Sequence, residues 1–339
     1  MVSLFVLVPI ALALAALALS WTPQGFASLP TGFLIKLSKL KGKAGPAPSG
    51  VAERRLAVKA DIALVDGSYN PADGVLRDDI VLALGGSSVP ARLYKPGTAV
   101  PGAILLYFHG GGFVLGGLDE QERMVRELCL MGRAMTLSVG YRLAPEHNFP
   151  AAHDDALLAY RWALKAIEEG RLPKLPLFVA GDSAGGNLAA SLCQMARTAG
   201  LPQPAGQMLL YPVCDVSRMD TPSYRAFGTG FILTKAEMEW FRDRYLSSVD
   251  ERLDTRVSPL LEPDLSGLAP ALILSAGMDP LRDEGEAYAD RLAAAGVRVK
   301  AKRFVGNAHG FAQMRRFVPA AGIALRELAR FMQEGSGQP

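Results

Sequence analysis

The sequence predicts an α/β protein built on a mostly parallel sheet. Short, continuously apolar runs of the buried-strand kind recur along the chain. Stretches of helical periodicity separate them, the alternation that produces a parallel sheet with helices on its faces. Glycine-rich, acidic and histidine-bearing motifs stand just past the ends of those runs, where sites lie in open α/β sheets. At 339 residues, half of them apolar, the chain can bury a large core as one α/β domain with appended covering segments.

Composition narrows the function. A net charge of +3 with Lys and Arg scattered gives no argument for nucleic acid. Cys129, Cys193 and Cys214 lie in or beside apolar segments without metal-ligand spacing, so no disulfide framework and no metal are expected. There is no internal repeat and no low-complexity tract.

Residues 1–27 are read as a separate apolar segment, a signal peptide or membrane anchor. Val2 to Leu19 carries no charge and has about the length that spans a bilayer. Gly25-Phe26-Ala27 offers a small-residue cleavage site. Lys36, Lys39, Lys41 and Lys43 come after the run and none precedes it, which disfavours export. Cleaved leader, uncleaved anchor and a helix packed on the protein therefore stay open, and localisation with them. Residues 28–75 are read as N-terminal covering helices and a linker. Phe33 to Lys41 has apolar residues at helical spacing beside lysines, suited to a membrane surface or to a lid over a site. Gly45 to Gly50 reads as the linker.

Residues 76–339 hold the main domain. Asp79–Leu84 and Val89–Tyr94, joined through Gly85-Gly86, read as an antiparallel edge hairpin. Ala103–Phe108 reads as a buried strand. His109-Gly110-Gly111-Gly112-Phe113 comes directly after it, then a helix from near Asp119. Successive glycines let the main chain approach a ligand and point several N–H groups one way. Met135–Tyr141 is the next strand, then a loop and a helix from Ala151 to about Glu169. In that stretch Arg142 is expected to pair with Glu146. Asp154 and Asp155 are expected to favour the helix dipole and brace the glycine loop, and His147 and His153 to be structural.

Leu177–Ala180 leads into Gly181-Asp182-Ser183-Ala184-Gly185-Gly186 and a helix from Asn187 to Arg197. Strand, G-x-S-x-G, helix is the setting of a nucleophile elbow. The turn forces Ser183 into strained backbone geometry. A β-carbon on either outer glycine would strike the neighbouring strand or helix. Asp182 is read as structural. Gln207–Tyr211 is the next strand. Residues of about 215–250 lack strand signal and carry aromatics, as suits a helical lid. Ala271–Ser275 ends at Asp279, a helix runs from Asp283 to Ala295, and a strand from Val297 to Val305 ends at His309. Pro319–Glu334 closes the chain as a helix.

Ser183, Asp279 and His309 thus fall past strand ends on one rim of one sheet, in the chain order of α/β-hydrolase triads. Gly110, Gly111 and Ala184 supply N–H groups for an oxyanion hole. Phe113, Tyr211, Phe227 and Leu281 are candidates for an apolar substrate pocket.

The motifs HGGGF, YRLAPEHNFPAA, GDSAGG, DPLRDE and HGF, in this order from about Arg77 to Phe331, resemble the bacterial hormone-sensitive-lipase family of carboxylesterases (esterase family IV). More distantly the chain resembles eukaryotic arylacetamide deacetylases. The resemblance implies an α/β-hydrolase fold with a mixed eight-stranded sheet, and a cap from N-terminal helices and the insertion after Tyr211. It also implies cofactor-free hydrolysis of short- to medium-chain acyl esters, and frequent homodimers. Its triad falls on Ser183, Asp279 and His309, its oxyanion hole on Gly110, Gly111 and Ala184. The apolar N-terminus departs from the family pattern, as does Gly306-Asn307-Ala308 before His309. Two other readings carry different consequences: an amidase, carbamate or lactone hydrolase with the same triad, and a non-catalytic small-ligand receptor. The receptors that resemble this family lack the triad histidine, which is present here.

Overall fold

The structure, a computed structural model, describes residues 14–44, 50–67, 73–97 and 99–337. The first part of the apolar run and the linker at 45–49 lie outside the described residues. Strands β3 (Val75–Leu84), β4 (Ser87–Pro96), β5 (Ala103–Phe108), β6 (Ala134–Val139), β7 (Leu177–Asp182), β8 (Gly206–Leu210), β9 (Ala271–Met278) and β10 (Val299–Ala308) form one sheet. Its order is β10-β9-β8-β7-β5-β6-β4-β3, antiparallel only at β6-β4-β3. This is the mixed, mostly parallel eight-stranded sheet of an α/β-hydrolase.

The apolar strands are apolar on both sides because both faces are covered. On β5, Ile104, Leu106 and Phe108 enter one core and Leu105 and Tyr107 the other. The first core packs under α5 (Ala151–Glu168), α6 (Ala184–Thr198) and α9 (Arg282–Ala294). The second packs under α4 (Glu122–Met131) and α10 (Pro319–Ser336). The chain passes from β5 to β6 on one side and then to β7 on the other. The switch in direction opens a crevice at the carboxyl ends of β5 and β7.

Helices from two segments cover that crevice. They are α2 (Leu29–Ala44) and α3 (Val51–Asp66) from the N-terminal part, and α7 (Pro222–Phe227) and α8 (Lys235–Tyr245) from the insertion after β8. Three of them line it, and α7 packs beside α2. Thr221 caps α7, with Pro222 in its first turn, and Thr234 with Glu237 forms a capping box on α8. Before α2, residues 14–20 are helical, α1. The hairpin of β1 (Trp21–Thr22) and β2 (Gly25–Phe26) comes next. Among the described residues no helix is long and apolar enough to cross a membrane. Gly25-Phe26-Ala27 sits in and beside this hairpin, with Ala27 buried against Phe227 and Phe231.

The end of α3 is fastened through its last backbone carbonyls, beside a buried acid. Asp66 is 4% exposed and its Oδ1 has no hydrogen-bond partner among the described residues. The Arg123 guanidinium donates to the Asp66 carbonyl, and Arg316 N–H to that of Val65. Burial pushes the Asp66 carboxyl up from 3.8 to about 7, opposed by Arg123 and Arg315 and reinforced by Glu127. A carboxyl raised on folding holds its proton in the native state while the unfolded chain has lost it. Stability from this group is therefore full below about pH 4 and falls by ~1.4 kcal/mol per pH unit up to about pH 7. Asp66→Asn removes that loss. Thermal melts are expected to show it raising Tm at pH 8 and leaving Tm near the parent value at pH 4. An equal shift at both pH values would contradict the assignment.

Candidate active site

Each candidate catalytic side chain stands where a strand stops. Ser183 follows β7 and caps α6 with φ 54° and ψ −117°, the strained geometry expected of a strand-to-helix elbow. Its N–H donates to Leu210 at 2.9 Å, and its carbonyl accepts from Asn187 at 3.1 Å and Val213 at 3.2 Å. The two outer glycines make the turn tight enough. A β-carbon on Gly181 would lie 2.2 Å from the Gly185 backbone, and one on Gly185 would lie 1.9 Å from the Phe108 carbonyl.

Asp279 follows β9 and is fully buried. Its Oδ1 accepts from Leu281 N–H at 2.9 Å, and its Oδ2 lies 2.7 Å from His309 Nδ1. His309 follows β10, and its Nε2 lies 2.9 Å from Ser183 Oγ. Tyr211, with its ring centre 4.8 Å from that of His309, packs under the imidazole. Hydroxyl, imidazole and carboxylate thus form one hydrogen-bonded series.

The glycine loop corrects one expectation. Gly110 N–H donates to Asp182 Oδ1 at 2.9 Å, so it is spent and does not face a ligand. Gly111 (φ 122°) and Gly112 (φ 61°) turn through conformations that side chains resist, and among the described residues their N–H groups have no partner. Ala184 N–H, in the unsatisfied first turn of α6, is also free among the described residues. The N–H groups left free among the described residues are therefore those of Gly111, Gly112 and Ala184. Asp182 is the reason. Its buried carboxylate takes Tyr107 OH at 2.7 Å and Gly110 N–H on one oxygen, and Gln313 Nε2 at 3.3 Å on the other. Burial pushes its carboxyl above the usual range, against the hydrogen bonds from Tyr107 and Gly110 that favour the charged form.

The loop is braced from outside by pairings that differ from those expected. Arg142 pairs not with Glu146 but with Asp155, at 2.7 Å, and Asp155 also accepts the Arg142 N–H. Glu146 instead meets Arg55 of α3 at 2.8 Å. Arg55 also donates to the carbonyls of Val114 and Ala144, tying α3 to the end of the glycine loop. Asp154 and Asp155 thus do not touch the glycine loop directly among the described residues. His153 is buried between Tyr245, Asn187 and the Arg256 carbonyl, and burial pushes its imidazole down to about 4. His147 is exposed, whereas Ser183 is buried.

Above Ser183 lies a cavity of about 410 Å³, within the range of about 300–1,000 Å³ usual for small-molecule sites. Its wall is chiefly apolar: Leu34 and Leu37 of α2, Ile62 and Val65 of α3, Met238 and Phe241 of α8. The four residues picked from the sequence for this pocket do not line it. Phe113 (φ 63°) turns away and stacks on Tyr245 at 4.1 Å. Phe227 packs on Phe231, Leu281 is in the core, and Tyr211 lies beneath His309. The unusual Gly306-Asn307-Ala308 has a local use. The Gly306 carbonyl accepts from Ser28 N–H at 2.8 Å, and Asn307 accepts from Thr31 Oγ at 3.4 Å, docking the start of α2 beside His309.

Known proteins are similar to this chain in sequence and fold. A family model described as alpha/beta hydrolase fold matches residues 105–313. The carboxylic ester hydrolase LipN of Mycobacterium tuberculosis is 47% identical over 230 residues, which are 66% of this chain and 61% of that protein. The chain thus spans less than two thirds of that relative's length. Ethyl acetate hydrolase of Pseudomonas putida is 38% identical over 89% of this chain and 96% of its own. Among solved structures, an ester hydrolase from the metagenome of Lake Arreo, complexed with a bipyridine phosphonate derivative, superposes with a TM-score of 0.84. It is 38% identical and covers 91% of this chain and 99% of its own. With the family model covering more than half of the chain and these relatives named ester hydrolases, the chain belongs to the α/β-hydrolase-fold family, in its branch of carboxylesterases related to hormone-sensitive lipase.

Proposed function

We propose that the protein is a serine carboxylesterase that cleaves short- to medium-chain acyl esters through an acyl-enzyme. The reading rests on one observation above the others: Ser183, His309 and Asp279 in hydrogen-bonded series at the floor of an apolar cavity. Ser183 Oγ attacks the ester carbonyl while His309 Nε2 takes its proton. Asp279 holds the tautomer with Nδ1–H and stabilises the imidazolium. Charge on the carbonyl oxygen is met by the N–H groups of Gly111, Gly112 and Ala184. His309 then protonates the leaving alcohol, and water repeats the sequence on the acyl-serine.

A series of p-nitrophenyl esters from acetate to palmitate, run beside acetanilide, tests the reading. kcat/KM is expected to peak within the short to medium chains and fall at palmitate, with anilide turnover far lower. A peak at palmitate would refute the chain-length assignment, and anilide turnover matching the esters would refute the esterase assignment.

A further inference from the structure

We propose that the N-terminal face, from α1 through α2, docks on an anionic lipid bilayer. Large apolar side chains are stranded in water there. Leu14, Leu17, Trp21, Phe26, Phe33 and Leu40 are each 48% to 62% exposed. Trp21 and Phe26 are direct cross-strand partners in the β1–β2 hairpin, so they form one exposed aromatic wedge. A soluble surface carries single exposed apolar residues, not a concentration of this kind.

Charge selects the partner. Glu53 is the first acidic residue of the chain, and residues 1–52 contain four lysines: Lys36, Lys39, Lys41 and Lys43. Those four exceed the +3 surplus of the whole protein, so the basic excess is concentrated on this segment. Lys39 lies on the same helix as Phe33 and Leu40. Exposed aromatic and aliphatic side chains on a segment whose only charged residues are lysines match the acyl boundary and headgroups of an anionic leaflet. Residues 1–13 contain no charged side chain.

The face is built into the body. Ala27 N–H donates to Ser20, Ser28 N–H to Gly306 beside the His309 strand end, and Gly32 lies against the Leu19 backbone. The same helix α2 lends Leu34 and Leu37 to the cavity, and Leu64 of α3, 49% exposed, stands at its wall. Docking therefore brings the cavity wall against lipid, so that apolar esters enter from the membrane. This last step rests on the esterase reading, whereas the docking does not.

Co-sedimentation of the full chain with vesicles of mixed phosphatidylglycerol and phosphatidylcholine tests it. Binding is expected, weakening with added salt and on pure phosphatidylcholine, with a blue shift in tryptophan emission that Trp21→Phe abolishes. W21E/F26E/F33E, and Trp21→Glu alone to a smaller degree, are expected to weaken binding, the triple change by at least ~10-fold. Turnover of p-nitrophenyl acetate in solution stays at the parent level, which also shows that the variants fold. Ser183→Ala is expected to bind vesicles like the parent, so a failed catalytic assignment leaves this result standing. The proposal is overturned if the protein does not sediment with the mixed vesicles, if salt leaves binding unchanged, or if the triple substitution does. It is equally overturned if the face pairs two copies in lipid-free solution, seen as a dimer that the triple substitution dissolves.

Discussion

Ser183→Ala is expected to lower kcat on p-nitrophenyl butyrate by about 10⁴- to 10⁶-fold while the thermal midpoint stays close to that of the parent. The loss is large because in the proposed mechanism Ser183 Oγ, 2.9 Å from His309 Nε2, is the atom that bonds to the acyl group. The stability change is small because alanine keeps the β-carbon, the backbone turn at φ 54° and the bonds of the Ser183 N–H and carbonyl. Only one hydrogen bond, at a site 8% exposed, is given up. Adding His309→Asn to Ser183→Ala is expected to cost little more, since members of a triad act as a unit. Retention of a tenth of the parent turnover in Ser183→Ala would sink the assignment of the nucleophile.

The parts of this site that are legible in the sequence are those in which local pattern and tertiary role coincide. β5 and β7 are apolar along most of their length because both faces are covered, so their runs announce buried parallel strands. Chain connectivity alone fixes which residue stands just past a strand end, and Ser183, Asp279 and His309 are recognisable on that ground. β7 and β9 run farther than their apolar cores suggest, through Gly181-Asp182 and Ala276-Gly277-Met278, because ladder partners rather than side-chain hydrophobicity carry a strand to its end.

Other features depend on partners remote in sequence. Nothing in three consecutive glycines says which N–H is free. The Asp182 carboxylate, 72 residues on, takes the first of them and leaves the other two. Arg142 and Glu146 are neighbours in the chain, but the loop carries Arg142 to Asp155 and leaves Glu146 to Arg55. Proximity in sequence to the candidate catalytic residues is likewise a poor guide to the pocket. Side chains at strand ends pack downward into the core, and the cavity is walled by helices from the two covering segments.

Gly185→Ala tests whether this elbow is as tight as its contacts require. The added methyl would lie 1.9 Å from the Phe108 carbonyl oxygen, 2.5 Å from its carbon and 2.7 Å from the His109 carbonyl oxygen. All three are backbone atoms at the end of β5, which is paired in the sheet to β6 and β7, so no rotamer change relieves the contact. Carbon and oxygen need more than about 3 Å, so the elbow and the glycine loop must part by roughly 1 Å. The loop that moves carries Gly111 and Gly112, whose N–H groups face the carbonyl oxygen in the proposed mechanism. A displacement of about 1 Å in such a site costs about 10²-fold in rate, and the forced backbone shift costs ~3 kcal/mol or more in stability. The expected result is a poorly folded protein, or a folded one with Tm lowered by several degrees and kcat down by at least ~10²-fold. Gly117→Ala is the control: its methyl would meet only the Glu120 carboxylate at 3.0 Å, the movable end of a side chain, and it is expected to fold and turn over like the parent. If Gly185→Ala matched that control in melting temperature and in kcat, the close packing of elbow against glycine loop would be wrong, and with it the placement of Gly111 and Gly112 opposite Ser183.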